Sequence, residues 1–302
     1  MGSSSRGSYV TAHDLTVLRE EARRRIEDSR ADAEINSLLQ DKLAAFNDRD
    51  AEAINSYLEA IESALSSEIE GFDRLLFGGS VAKHTYVDGL SDVDALVILK
   101  HGAEGSSEAA KELLRDTISA RVPRTEIDDI RIGQLAVTLR YRDGTEIQLL
   151  PAVESAEGVR IPSRDGGWKA IRPREFTRML TEANQRQGGG VVPAIKLAKA
   201  AISNRMEDRA LSGYHIEALA VSAFSDYTGP RTPRAMLRHL LRHASEKVLS
   251  PLPDPTGQSS FVDASLGTAS SMARRSAARE LRRIADTVES SRSMSEWSAL
   301  FE

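Results

Sequence analysis

The twenty residues from Phe77 to Leu96, FGGSVAKHTYVDGLSDVDAL, decide how the rest of the chain is read. Leu75-Leu76-Phe77 runs into Gly78-Gly79-Ser80, eleven residues intervene, and Asp92-Val93-Asp94 opens the apolar run that ends at Leu99. The two apolar stretches, bounded by turn residues, predict short buried strands. Residues two apart on a strand point to the same face, so Asp92 and Asp94 present carboxylates side by side while Val93 faces the core. Paired carboxylates suit a hard divalent cation. Magnesium takes oxygen ligands and leaves room for phosphates, so two aspartates facing a Gly-Ser turn predict a nucleotide–Mg²⁺ site, with Mn²⁺ as the alternative ion. Gly78 and Gly79 let backbone approach phosphate oxygens, and the Ser80 hydroxyl and the amides that open the following helix can bind them. Asp-x-Asp alone is common in turns and Gly-Gly-Ser alone is a loop; their spacing and the order strand, turn, helix, strand carry the signal.

On the N-terminal side, apolar residues spaced three and four apart predict a long amphipathic helix from Thr11 to about Asn47 and a second from Asp50 to about Ile69. On the C-terminal side comes a helix near Ser107 to Ala120. The alternating run Ile132–Tyr141, the turn Arg142-Asp143-Gly144 and a strand from Thr145 to Leu150 then predict a hairpin that Pro151 ends. Residues 151–173 read as loop-rich, and beyond them five helical stretches carry the chain to its end, interrupted by the proline-rich loop around Pro251, Pro253 and Pro255. The fold class is therefore α+β: a mixed β-rich half followed by an all-helical half.

Composition excludes several classes. The 302 residues hold no cysteine, so there is no disulfide framework, thiolate metal site or cysteine nucleophile, and a reducing, cytoplasmic setting is expected. A balance of 40 Lys plus Arg against 45 Asp plus Glu, net −5, argues against a basic coat for duplex nucleic acid. No apolar run is long enough to span a bilayer, so no membrane partner is expected. The Gly/Ser-rich start, residues 1–10, reads as a disordered tail.

The Gly-Ser pair followed by Asp92-x-Asp94 resembles the signature of the polymerase-β-type nucleotidyltransferase superfamily. Further along, Ser212-Gly213-Tyr214-His215-Ile216-Glu217, the preceding helix with Lys196 and Lys199, and Asp254-Pro255-Thr256-Gly257 look like the bacterial cGAS/DncV-like nucleotidyltransferases, over roughly residues 10–290. The resemblance implies a nucleotidyltransferase core over residues 11–160, including the long first helix, and a helical lobe over 161–302, with a nucleotide cleft between them. It implies that Lys196 contacts the triphosphate and that Tyr214 stacks on a base. Gly213 stands where relatives often carry serine, so either Ser212 reaches the phosphate or that contact is absent.

The resemblance also asks for a third carboxylate from a neighbouring strand, three residues before a Pro-Ala pair. That position is Gln148, ahead of Pro151-Ala152, and a neutral amide binds magnesium weakly. Glu146 lies two residues earlier, on the same face, and is the favoured ligand. The alternatives are Gln148 with one tightly held metal, or a protein that binds nucleotide without turnover. The expected catalytic and metal set is thus Asp92, Asp94 and Glu146, with Gly79, Ser80, Gln148, Lys196, Ser212 and Tyr214 binding substrate. The resemblance implies an enzyme that joins NTPs or dNTPs into a cyclic oligonucleotide. That product would be an antiphage second messenger acting through an effector protein. A linear oligonucleotide is the alternative product.

Overall fold

The computed structural model describes the chain apart from residues 1–11, 48–50, 88–92, 101–104, 124, 156–157, 164–165, 207–210, 258 and 302. The expected N-terminal tail and Asp92 therefore lie outside the described residues. In chain order, α1 (Ala12–Ala45) and α2 (Ala51–Glu68) precede β1 (Phe72–Phe77), the single turn α3 (Gly79–Ala82) and β2 (Val93–Leu99). Then come α4 (Ser107–Arg121), β3 (Ile127–Ile132), β4 (Val137–Tyr141), β5 (Glu146–Ser155), β6 (Gly158–Pro162) and β7 (Trp168–Ile171). The remainder is helical: α5 (Pro173–Arg186), α6 (Val191–Arg205), α7 (Gly213–Ala223), α8 (Pro233–Lys247), α9 (Met272–Ser290) and α10 (Met294–Ser298). No described helix is long and apolar enough to cross a membrane.

The strands form one mixed sheet in the order β1-β2-β5-β4-β3, with β6 joined to the second half of β5 and β7 to β6. Only neighbours β2 and β5 run parallel among the described pairs; the rest are antiparallel. Alternation gives the sheet two unlike faces. Val93, Ala95, Val97 and Leu99 of β2, with Ile147 and Leu149 of β5, pack under α2 and α4. Leu96, Ile98, Leu150 and Ala152 point the other way, with Leu76, Val159 and Ile161. Asp94 and Gln148 share the parity of this second face.

The β-rich region differs from the sequence-based expectation in two respects. Of the run 132–141 only Val137–Tyr141 forms a strand, β4; Ile132 is the last residue of β3, which begins at Ile127, and the turn between the two is closed by Gly133 N donating to Ala136 O at 2.8 Å. Pro151 does not end its strand: β5 continues to Ser155 and the supposed loop beyond it makes β6 and β7. The reason lies in the pairing. On the side away from β2, β5 pairs with β4 through Glu146–Leu149 and with β6 from Val153 onward, so Pro151 sits in the interval where no strand asks for its missing N–H. The sheet consequently extends to Ile171, past the boundary expected near residue 160.

The helical half has its own core, which α6 crosses: Val191, Ala194, Ile195, Leu197, Ala198, Ala201 and Ile202 are all buried in it. The last turns of α1 join this core through Ile35 and Leu39, whereas residues 16–27 are exposed. Between α8 and α9 the long loop is fastened by Arg274, fully buried, which donates to Asp263 Oδ2 at 2.6 Å and to the carbonyls of Val248, Ser250, Asp263 and Gly267. One guanidinium thus satisfies an otherwise irregular turn, as buried backbone requires.

Candidate active site

The site begins where β1 ends. Gly78 N donates to Asp94 O at 2.8 Å, which carries the chain across the end of β2. Gly79 has φ +49°, and a Cβ there would lie 1.6 Å from Asp94 Oδ2, so both backbone angle and space demand glycine. Ser80 follows with its hydroxyl buried and no hydrogen-bond partner in the structure. An orphaned buried hydroxyl costs free energy unless a ligand engages it, and Ser80 is among the residues that line a cavity of about 550 Å³ together with Asp94.

Gln148 enters the same cavity because β2 and β5 pair in parallel with Asp94 opposite Gln148. Glu146 does not line it; its carboxylate lies 3.5 Å from Arg131 and 4.0 Å from Arg140 on β3 and β4. Ser212 and Tyr214 line the cavity from the other side. The Ser212 hydroxyl caps α7 by accepting from His215 N at 3.2 Å, and Tyr214 leans edge-on against Phe176 with centroids 4.6 Å apart. Of the expected substrate-binding residues, then, Gly79, Ser80, Gln148, Ser212 and Tyr214 converge with Asp94.

Lys196 does not join them. Its ammonium is bound to Asn47 Oδ1 at the end of α1, and Lys199, one helical turn on, reaches the cavity instead. Lys199 donates to Thr85 O at 3.0 Å and to Glu217 Oε1 at 2.9 Å. Glu217 is 1% exposed and also receives the Lys83 ammonium and the Thr85 hydroxyl. Burial pushes the Glu217 carboxyl upward, but the two ammonium groups reverse that and hold it below the ordinary glutamate range. For Lys199 burial prevails over the pull of Glu217, so its affinity for a proton falls. Two cations on one carboxylate leave a net positive cluster at the cleft, joining the turn after α3 to α6 and α7.

Sequence reasoning gave Lys199 and Lys83 no firm role. A signal was present: α6 is apolar on every side, and lysines in such a helix must be buried and paired. The partnership of Tyr214 with Phe176, thirty-eight residues apart in the chain, had no local signal.

A second cavity, about 1040 Å³, meets the first at Gly79, Lys83 and Tyr214 and extends between Leu76 and Leu96 of the open sheet face and Phe176 of α5. Either volume suits a nucleotide-sized ligand.

Among the described residues no three His, Cys, Asp or Glu side chains are grouped to cage a metal. The donors that do line the cavity, the Asp94 carboxylate, the Gln148 amide and the Ser80 hydroxyl, all offer oxygen. That set fits Mg²⁺, which is commonly held by one or two carboxylates together with substrate phosphates and water.

The sequence profile of the Second Messenger Oligonucleotide or Dinucleotide Synthetase domain matches residues 30–184. No curated protein matches the chain in sequence. Solved structures do match its fold. The Bradyrhizobium diazoefficiens CD-NTase CdnG in complex with GTP is 17% identical with a TM-score of 0.66, covering 83% of this chain and 90% of that one. CdnC of E. coli MS115-1 with ATP is 16% identical, TM-score 0.65, over 83% and 90% of the two chains. The Vibrio cholerae DncV cyclic AMP-GMP synthase is 15% identical, TM-score 0.62, over 96% and 88%. At such identities the likeness is one of fold.

Proposed function

We propose, for a chain that belongs to the Second Messenger Oligonucleotide or Dinucleotide Synthetase family of cGAS/DncV-like nucleotidyltransferases, that it is a Mg²⁺-dependent synthase of a cyclic oligonucleotide from nucleoside triphosphates. A ribose hydroxyl of one nucleotide attacks the α-phosphate of another, the bond to the β-phosphate breaks, and pyrophosphate leaves; a second such step closes the ring. The observation that carries this reading is the partnerless buried hydroxyl of Ser80, a residue that lines one cavity together with Asp94, Lys83 and Lys199. Hydroxyl, glycine amide and lysines make a phosphate site, and a carboxylate beside it suits a cation shared with those phosphates.

In this reading Gly79, Ser80, Lys83 and Lys199 hold the triphosphate, Tyr214 walls the base, and the adjoining larger cavity takes the second nucleotide. Asp92 and Asp94 would hold Mg²⁺, and Gln148 rather than Glu146 would be the third ligand, because its backbone pairs with that of Asp94 while Glu146 lies against two arginines. Bound there, the ion would neutralise phosphate charge and ease loss of the attacking hydroxyl's proton. The chain itself contributes positioning and fixed charge. The product is read as an antiphage signal made in the cytoplasm and received by an effector protein. This follows from family membership, and the solved structures of similar fold that hold GTP and ATP are in keeping with the substrate class.

One observation favours a second reading. The neutral Gln148 beside Asp94 leaves the cavity short of negative charge, as expected of a protein that binds nucleotide without turnover. Mass spectrometry of products from all four NTPs and all four dNTPs with Mg²⁺ or Mn²⁺ separates the two. The proposed function requires a discrete cyclic species that resists phosphatase and is absent with Asp94→Asn. A ladder of masses would make the product linear. Triphosphate binding with no pyrophosphate released would overturn the synthase reading in favour of the second.

A further inference from the structure

We propose that Asp254, on the long loop between α8 and α9, is a positioning residue for Tyr214, so that this loop is a working part of the nucleotide site. The inference rests on the cleft being that site. Tyr214 stands where the two cavities meet and lines both. Its ring is braced by Phe176, and the Lys83 ammonium lies 5.6 Å from its centroid and 5.4 Å from that of Phe176. The ring's far end is fixed by its hydroxyl, which donates to Asp254 Oδ1 at 3.0 Å. Asp254 lines neither cavity, so its influence on a ligand passes through the phenol.

The carboxylate that receives this hydroxyl is immobilised beforehand. Oδ1 also accepts from Thr256 N at 2.9 Å and Thr256 Oγ1 at 2.6 Å, and Oδ2 from Ser259 N at 3.1 Å and Ser259 Oγ at 2.7 Å. The loop is then closed by pairing between Pro253 and Phe261 and riveted at its far end by the buried Arg274–Asp263 pair. Asp263 in turn lies 3.5 Å from Nε2 of His215. Consecutive residues of α7, Tyr214 and His215, therefore meet two aspartates of one loop. A hydroxyl acceptor held by four other donors on a stapled loop gives the phenol one place to point, which is the condition for a preorganised wall.

The test measures ATP and GTP binding, with Mg²⁺, to wild type, Tyr214→Phe, Asp254→Asn and the double variant, beside their melting temperatures. Each single variant is expected to weaken Kd about tenfold, the factor that a hydrogen bond of about 1.4 kcal/mol carries, and the double variant no more than either. Tyr214→Phe binding like wild type would overturn the inference, and so would single effects that multiply. Should Asp254→Asn fail to fold, Thr256→Val and Ser259→Ala loosen the carboxylate while leaving it in place. Weaker binding that disappears in the Tyr214→Phe background then supports the inference, and unchanged binding overturns it. A wild type that binds neither nucleotide sinks the functional reading and this inference together; one that binds, with Tyr214→Phe unchanged, sinks this inference alone.

Discussion

Asp94 on β2 and Gln148 on β5 are register partners across a parallel pair, a carboxylate and a neutral amide on one wall of the cavity. A second carboxylate at position 148 would deepen the negative potential for a divalent cation, while the present amide supplies oxygen without charge. Gln148→Glu is therefore expected to lower the Mg²⁺ concentration for half-maximal pyrophosphate release, by about tenfold at an effective dielectric suited to a partly open site. Gln148→Leu should raise it. Glu146→Gln should change it little, since that carboxylate is already engaged by Arg131 and Arg140. A large loss in Glu146→Gln would assign the third-ligand role there instead.

Lys199 and Lys196 occupy neighbouring turns of α6 yet meet different partners, Lys199 lining the cavity and Lys196 bonded to Asn47. Lys199→Met is expected to weaken triphosphate binding roughly tenfold to a hundredfold, the range for a hydrogen bond to a charged group. The fold should survive, because Lys83 still neutralises Glu217. Lys196→Met removes a contact with Asn47 that ties α6 to the end of α1, so it should lower the melting temperature and leave nucleotide affinity within about twofold. Calorimetric titration with ATP and a thermal melt of each variant decide the assignment.

The legible parts of the molecule were those in which neighbours in sequence are neighbours in space. The Gly-Gly-Ser turn, the strand that starts at Val93 and the helices with three–four periodicity declare themselves because each is stabilised locally. The extent of β5 was hidden, because tolerance of Pro151 depends on which strands flank it and where they stop. Lys199 was hidden for a similar reason: its anchor, Glu217, lies eighteen residues on, and its other partner, Thr85, belongs to the turn after α3. The third-ligand question could be posed from the Pro-Ala register, but only the pairing of β2 with β5 shows that Gln148 is the one facing Asp94.

Gly79 combines a left-handed backbone with a side-chain position already filled by the Asp94 carboxylate. Gly144 also has positive φ, +90°, but nothing lies within 4 Å of a Cβ built there. Both alanine variants carry the strain of that backbone region, about 1–3 kcal/mol, which a denaturant titration would register. Gly79→Ala must in addition displace Asp94, and should reduce pyrophosphate release by about a hundredfold or more, whereas Gly144→Ala should retain turnover. Equal losses in the two would mean that backbone strain alone accounts for the effect.

His215, next to Tyr214, is buried against Asp263 and Arg274. Burial pushes its pKa down from 6.5 to about 4; the Asp263 charge opposes this and that of Arg274 adds to it. The folded chain thus holds His215 neutral over a range in which the unfolded chain protonates it. Because the unfolded state binds more protons there, stability is complete above about pH 6.5 and declines as pH falls towards 4. One such group contributes at most about 1.4 kcal/mol per pH unit. His243, whose pKa is also lowered, chiefly by burial, adds to the same slope and needs its own variant. Asp254, Asp263 and Glu217, all held below their ordinary values of 3.8 to 4.5, contribute only at the acid end. Denaturant titrations at pH 7, 6 and 5 should therefore show falling stability in wild type, a shallower fall in His215→Gln and in His243→Gln, and the shallowest in the double variant. A wild-type slope that survives both substitutions would mean that these histidines titrate alike in the folded and unfolded chain.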